Sequence, residues 1–529
     1  MIQLRNAAST LLATLLLSGS VFSAQTVQTA PTAEQILGKI RQATGTAALA
    51  IPATGLQFRG DAEFMGAAGT YELLIDAQGR FRFQVMGPLP MQIGFDGETC
   101  WTIDWMLTPF LLQLTDREDA IVTAALRSGS WLMPAQEPVF TAEAVASDVE
   151  GEVLLRLHLR GGRHQGLLRV STENWLPLSF HPDMGRQDDD ARLLTFGDWK
   201  RKRGALLPHR LVSSSPTGED ETLILKEVVD APNYLRDPFA FVAAPPTNSS
   251  FVEGRTPQLT AKLTLTGHLL VQASLDDGEA RWFIFDTGAG ALCVSKPVAA
   301  ELGMRALGSV AAHGVGGAER ARVLQGGALQ VGPLAVREPV FVELDLSFLT
   351  PFFGEKIAGI VGFGVLARSV VELDMEEGTV AIHAPKGYEL HGAAWQELLL
   401  DSRNAAIRAS FEGDHEGIFK LDTGAAGSTV MFHAPAVREL GLLEGRATTD
   451  SQAGGVGGMV QAKSGTIAWF EVAGRRFENP EVGFALENKG AFANPYVMGN
   501  LGGGFLAPFR LVFDYGSRRI AFVPRVAAD

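Results

Sequence analysis

Asp286 and Asp422 are the residues whose type and surroundings could carry chemistry. Asp286 lies in Phe285-Asp286-Thr287-Gly288-Ala289, and 136 residues later Asp422 lies in Leu421-Asp422-Thr423-Gly424-Ala425. Each follows an apolar run, Trp282-Phe283-Ile284-Phe285 in one case and Ile418-Phe419-Lys420-Leu421 in the other. A carboxyl at the end of a strand can serve as a general acid or base, and the glycine after it allows a tight turn and a close approach. One Asp-Thr-Gly is no more than a common surface turn. Two copies carry weight because they belong to a duplicated unit.

Four further landmarks recur in the same order. Pro297 with Leu302-Gly303 returns as Pro435 with Leu440-Gly441, and Gly314-Val315-Gly316-Gly317 returns as Gly455-Val456-Gly457-Gly458. Ile360-Val361-Gly362 is matched to Val497-Met498-Gly499, and a hairpin around Asp374 to one around Asp514. All offsets fall between 136 and 141 residues, a period of whole lobes rather than of a solenoid. Other chemistries find no footing. The sequence has no G-x-S-x-G, H-E-x-x-H, P-loop or C-x-x-C, and its 10 histidines lack metal-ligand spacing. No metal and no cofactor is expected.

The repeat resembles the retropepsin-like aspartic proteases in a single-chain, two-lobed form. The resemblance rests on the paired Asp-Thr-Gly-Ala, the late apolar-apolar-Gly triplets ending at Gly362 and Gly499, the Gly-rich hairpins, and the P-x-x-x-x-L-G segments. The last imply a short helix in each lobe ended by glycine. The resemblance implies a dyad of Asp286 and Asp422, with Thr287 and Thr423 bonding across a pseudo-twofold axis and Gly288, Ala289, Gly424 and Ala425 supporting the loops. Two carboxyls about 3 Å apart share one proton, so base and acid coexist at one pH. Water would be activated there to hydrolyse a peptide bond, with a peptide or protein as substrate. Alanine at 289 and 425 offers no hydroxyl to favour the charged carboxylates, so the optimum should be less acidic than in pepsin-like enzymes.

The flap candidates are Gly314, Val315 and Gly316 in one lobe and Gly455, Val456 and Gly457 in the other. His313 precedes the first and Gly454 the second, and an ordinary exposed loop histidine is the simpler reading of His313. Ile284 and Lys420, two residues before each aspartate, are subsite candidates. Lys420 could select an acidic side chain, pair with the dyad, or extend to solvent. Both lobes lie in one chain, so a dimer is not required to build the site.

The positioning elements are mainly β. Residues 259–390 and 391–529 are expected as all-β lobes, and residues 245–258, with Pro245, Pro246 and Gly254, as a linker. Before them, 31–244 opens with a helix over 33–43, where Ile36, Leu37 and Ile40 share a face. Alternating runs such as Phe81, Phe83, Val85 and Leu155, Leu157, Leu159 then predict an antiparallel meander curved around the helix. This order, the Gly94–Thr99 turn before Trp101 and the closing Asp237-Pro238-Phe239 are similar to LolA-like periplasmic carrier folds. That resemblance implies a lipid, lipoprotein or envelope ligand; the alternative is a domain that only positions the protease-like half.

Residues 1–24 read as a secretory signal, with Arg5, the apolar Leu11–Leu17 and small residues to Ala24. Ser20 stands where a lipidated cysteine would be, so a periplasmic or secreted protein without a lipid anchor or stable membrane span is expected. The whole chain has 529 residues, a formal net charge of −14 and 59 glycines. The acidity disfavours nucleic acid as a partner, and Lys200–Arg203 reads as a solvated hairpin turn. Two cysteines exclude a disulfide framework. The competing reading is a non-catalytic envelope protein that binds peptide, lipid or lipoprotein on a protease-like scaffold.

Overall fold

A computed structural model describes residues 31–524 except 134–137, 184–191, 243, 316 and 456–457. The expected leader, 1–24, and the flap candidates Gly316, Val456 and Gly457 lie outside the described residues.

The first domain is built on helix α1, Ala33–Thr44. Thr32 caps it: its hydroxyl accepts from the Gln35 amide at 3.3 Å, and the Gln35 side chain accepts from the Thr32 amide at 2.9 Å. Gly45, at φ 68°, ends it. The thirteen strands described here form one antiparallel sheet. Leu56–Phe64 and Gly218–Asp230 pair at its middle, and the chain steps from there to the Pro109–Leu112 edge, crosses, and returns from the Phe140–Val145 edge. The result is a curled half-barrel sheet.

The crossing element is a second helix, α2, Leu114–Ser128, which the expected single-helix meander lacks. Its first turn is polar, and its buried residues, Val122, Ala124, Ala125, Leu126 and Ser128, all lie in its second half, so the apolar stripe is too short to stand out. Ile36, Ile40, Val122 and Leu126 join Phe83, Leu155 and Leu168 in one core. Trp101 closes the domain by donating its indole N–H to the Phe239 carbonyl at 2.7 Å. Of the Lys200–Arg203 stretch expected as a hairpin turn, Lys200–Lys202 end a strand and only Arg203, with Gly204, makes the turn; Arg203 pairs with Asp230 at 2.8 Å.

The stretch expected as a linker is not a free tether. Ser249–Phe251 adds a strand to the first lobe by pairing with Leu334–Arg337. Each lobe is all-β, and the two hairpins singled out by the repeat pair with each other, Val370 against Asp514, to form a shared sheet. The short helices also appear, Lys296–Glu301 and Ala434–Glu439, followed by Gly303 and Gly441 at φ 59° and 61°.

Strand register corrects one part of the repeat. Phe283 lies opposite Gly359 and Phe285 opposite Val361, whereas Phe419 lies opposite Gly499 and Leu421 opposite Leu501. Gly499 is therefore the counterpart of Gly359, and Gly502 the counterpart of Gly362. Gly362 backs onto the Ala289 carbonyl and Gly502 onto that of Ala425. A Cβ at Gly502 would lie 2.5 Å from the Ser428 oxygen and 2.7 Å from the Ala425 oxygen. Gly502→Ala should therefore cost about 1–3 kcal/mol in denaturant unfolding. An unchanged midpoint would show that the loop can yield there.

Candidate active site

Both aspartates sit where a lobe's strand gives way to its loop, and the two loops interlock. The Thr287 amide donates to the Thr423 hydroxyl at 3.0 Å, and the Thr423 amide to the Thr287 hydroxyl at 3.1 Å. The Thr287 hydroxyl donates to the Leu421 carbonyl at 2.7 Å, and the Thr423 hydroxyl to that of Phe285 at 3.3 Å. Both threonines are buried. Reciprocal bonds in a dry place define the pseudo-twofold axis and hold the loops in one relative position.

The same interlock brings the carboxylates together. A Cβ on Gly288 would lie 2.5 Å from Asp422 Oδ1, and one on Gly424 would lie 2.5 Å from Asp286 Oδ2. Each glycine is thus the space that the other lobe's carboxylate occupies. Asp286 Oδ1 accepts from the Gly288 amide at 2.7 Å and from the Gly424 amide at 3.2 Å. Asp422 Oδ1 accepts from the Ala425 amide at 3.1 Å. As expected, Ala289 and Ala425 place no hydroxyl on either carboxylate.

Both carboxyls are held above the usual carboxylate range. Burial is the main cause for each, and the charge of Asp422 adds to it at Asp286, while the loop amides oppose it. The groups that favour charge cluster on Asp422, where Lys420 and Asn500 join the Ala425 and Gly424 amides.

Lys420 departs from the subsite and solvent readings. Its ammonium lies 2.7 Å from Asp401 Oδ2, with the lysine side chain 12% exposed and that of Asp401 0%. It is therefore spoken for inside the second lobe, and it reaches the dyad only through its field. Ile284 is buried opposite Leu270 and Ile360. Of the flap candidates, Gly314 and Val315 lie over the second lobe. The Gly314 carbonyl is 2.7 Å from where a Cβ on Gly490 would stand, and Val315 packs on Ala434, Val460, Ala485 and Phe492. Gly455 ends the strand Thr448–Gly455 of the other hairpin. His313 is exposed on the first.

Two residues of the site escaped the sequence reading. The Asn500 amide donates to Asp422 Oδ2 at 3.3 Å, and its Oδ1 lies 2.9 Å from His433 Nε2, which donates. His433 is fully buried, and burial, then Lys420, pushes its pKa down to about 4, so the ring is neutral. The signal was available. In the corrected register Asn500 stands opposite the place of Ile360, and His433 opposite Ser295 just before each short helix. Only the second lobe carries this polar pair.

Residues 271–365 and 407–505, one stretch in each lobe, match the family of aspartyl proteases. Among solved structures, an aspartic proteinase from Irpex lacteus is similar at 11% identity and a TM-score of 0.33, covering 51% of this chain and 97% of that one. A LolA superfamily protein from Nitrosomonas europaea is similar at 16% identity and a TM-score of 0.29, covering 40% of this chain and 99% of that one. No curated protein matches the chain in sequence.

The raised carboxyls imply a stability signature. A folded-state pKa above the unfolded value of 3.8 gives a contribution that is complete below that value and lost as pH rises through the raised one. Asn at 286 cannot ionise and escapes that loss. Asp286→Asn should raise the apparent Tm by on the order of a few degrees at neutral pH. The gain should vanish in melts below the unfolded pKa. A gain independent of pH would point to packing instead of charge.

Asn500→Leu removes a donor that favours the Asp422 carboxylate, so the dyad should titrate at higher pH. The measurement is the carboxyl titration followed by NMR. A shift to lower pH would contradict the role given to Asn500.

Proposed function

We propose that the protein is an aspartic endopeptidase that hydrolyses peptide bonds with water held between Asp286 and Asp422. The observation that carries this reading is the mutual placement of the two carboxylates, each filling the space left by the other loop's glycine. A binding module gains nothing from that arrangement, which burial and repulsion both oppose.

In the proposed reaction the ionised carboxyl takes a proton from water as its oxygen attacks the scissile carbonyl carbon. The protonated carboxyl donates to the carbonyl oxygen, and a neutral tetrahedral diol results. Proton return to the leaving nitrogen and collapse of the diol break the C–N bond. The dyad titrates as a unit, with no covalent intermediate. An extended peptide would lie as an added strand beneath the Gly-rich hairpins. The raised carboxyls support activity at less acid pH than in pepsin-like enzymes.

The leader-like residues 1–24 support a periplasmic or secreted location. For the N-terminal domain a positional role fits better than a carrier role. Its contacts with the second lobe support this: Thr115 donates to Asp401 Oδ1 at 2.9 Å, and Asp116 accepts from the Ser402 amide at 2.8 Å.

The test is digestion of casein and a peptide library, wild type against Asp286→Asn, from about pH 3 to 8. Wild type should cleave at about pH 5 to 6, and the variant should lose activity by at least about a hundredfold. Equal products from both, or none from either, would favour the binding-protein reading. A peak near pH 2 with nothing at about pH 5 to 6 would refute the assigned pH dependence.

A further inference from the structure

The two lobes support their catalytic loops in different ways. In the first lobe, a turn between the strands Ala261–Leu263 and Leu269–Leu275 lies beside the second lobe's loop. A Cβ on Gly267 would be 3.6 Å from Ala426. This turn holds itself. The His268 amide donates to the Thr264 hydroxyl at 3.0 Å, the Thr264 and Thr266 hydroxyls are 2.9 Å apart, and Thr266 meets His268 Nδ1 at 2.8 Å. Gly267 supplies the left-handed position, at φ 81°.

The matching turn of the second lobe joins Leu399–Asp401 to Asn404–Phe411 and lies beside the first lobe's loop. A Cβ on Gly290 would be 3.0 Å from the Ser402 carbonyl. This turn has two central residues, Ser402 and Arg403, at φ 50° and 71°. Tight hairpin turns with both central residues left-handed strongly favour Asn-Gly. Ser-Arg there is strained, because both side chains stand in a backbone region that L-residues rarely adopt.

What restrains that turn comes from the other domain. The side chain of Gln113, just before α2, accepts from the Leu400 amide at 2.9 Å, and Thr115 donates to Asp401 Oδ1 at 2.9 Å. Asp116 accepts from the Ser402 amide at 2.8 Å. Arg403 pairs with buried Asp104 at 3.2 Å and lies over Trp105 and Phe110. From the inner side Asp401 takes Asn494 and Lys420, each at 2.7 Å, and Lys420 is two residues from Asp422. A continuous polar chain thus runs from α2 through Asp401 and Lys420 to the strand bearing the second aspartate.

We infer that the N-terminal domain is a working part of the catalytic unit: Thr115 and Asp116, with Asp401 and Lys420, are positioning residues that hold the strained 401–404 turn against the first lobe's Asp-Thr-Gly loop. This rests on the endopeptidase reading for its consequence in turnover, though not for its structural content.

The test uses the full chain. Thr115→Val/Asp116→Ala should lower kcat by about tenfold to a hundredfold, with KM within about twofold, because the loops stay intact but are misplaced. Adding Ser402→Asn/Arg403→Gly gives the turn its own preferred residues and should restore kcat to within about threefold of wild type. A general loss of packing would not be rescued in this way. Unchanged kcat in the α2 variant, or a loss that the new turn leaves in place, overturns the inference. If the α2 variant does not fold, Asp116→Asn takes its place.

Amide hydrogen exchange judges the same claim without catalysis. Exchange at Gly290–Leu292 and Ser402–Asn404 should quicken in the α2 variant and slow again with the new turn. Unaltered exchange overturns the inference even if wild type shows no Asp286-dependent cleavage, an outcome that would by itself defeat only the endopeptidase reading.

Discussion

The site depends on forcing two carboxylates together in a place where water and distance would both rather keep them apart. Desolvation penalises each charge, and the charge of Asp422 penalises ionisation of Asp286. What opposes these costs is the lock between the loops. Thr287 and Thr423 exchange hydrogen bonds with each other and with the opposite main chain, and neither is reachable by water. Solvent therefore cannot compete for those bonds, and parting the lobes would expose unpaired buried groups. The glycines have the same cause. A side chain at 288 or 424 would collide with the partner aspartate, so the lock closes only if both positions are bare.

Duplication gives the site its symmetry, and the departures from symmetry give it a direction. The first aspartate is answered by main-chain amides alone. The second also feels Lys420 and the Asn500 amide, with neutral His433 behind Asn500. These groups oppose the burial that raises Asp422, and both carboxyls still stay above the usual carboxylate range. Lys420 acts here as a fixed charge rather than a contact, because Asp401 holds its ammonium.

The sequence disclosed what is local or repeated. The Asp-Thr-Gly loops, the helix from Ala33, the two short helices closed by glycine and the paired hairpins all follow from periodicity, capping and self-similarity. It misled where an ungapped comparison met a length change. Val497-Met498-Gly499 looked like Ile360-Val361-Gly362, but register puts Gly502 in the role of Gly362. That slip hid Asn500, which becomes conspicuous only when set against Ile360. Helix α2 was missed because its polar first turn faces another domain instead of solvent. The partner of Lys420, Asp401, is 19 residues away across a hairpin, beyond any local pattern.

That polar first turn links the two halves of the molecule. Arg368, 5% exposed, ties the back of the first lobe to the Thr108 hydroxyl and the Met106 carbonyl, and Phe110 meets Phe363 edge-on at 5.0 Å. Phe363 directly follows Gly362 behind the first Asp-Thr-Gly loop. Ser309, on a strand of the first Gly-rich hairpin, donates its amide to the Met65 carbonyl at 2.7 Å. Here a buried arginine, aromatic edges and strand-edge bonds meet both lobes and one Gly-rich hairpin. The contacts converge on the segments that must not move if two carboxylates are to stay paired.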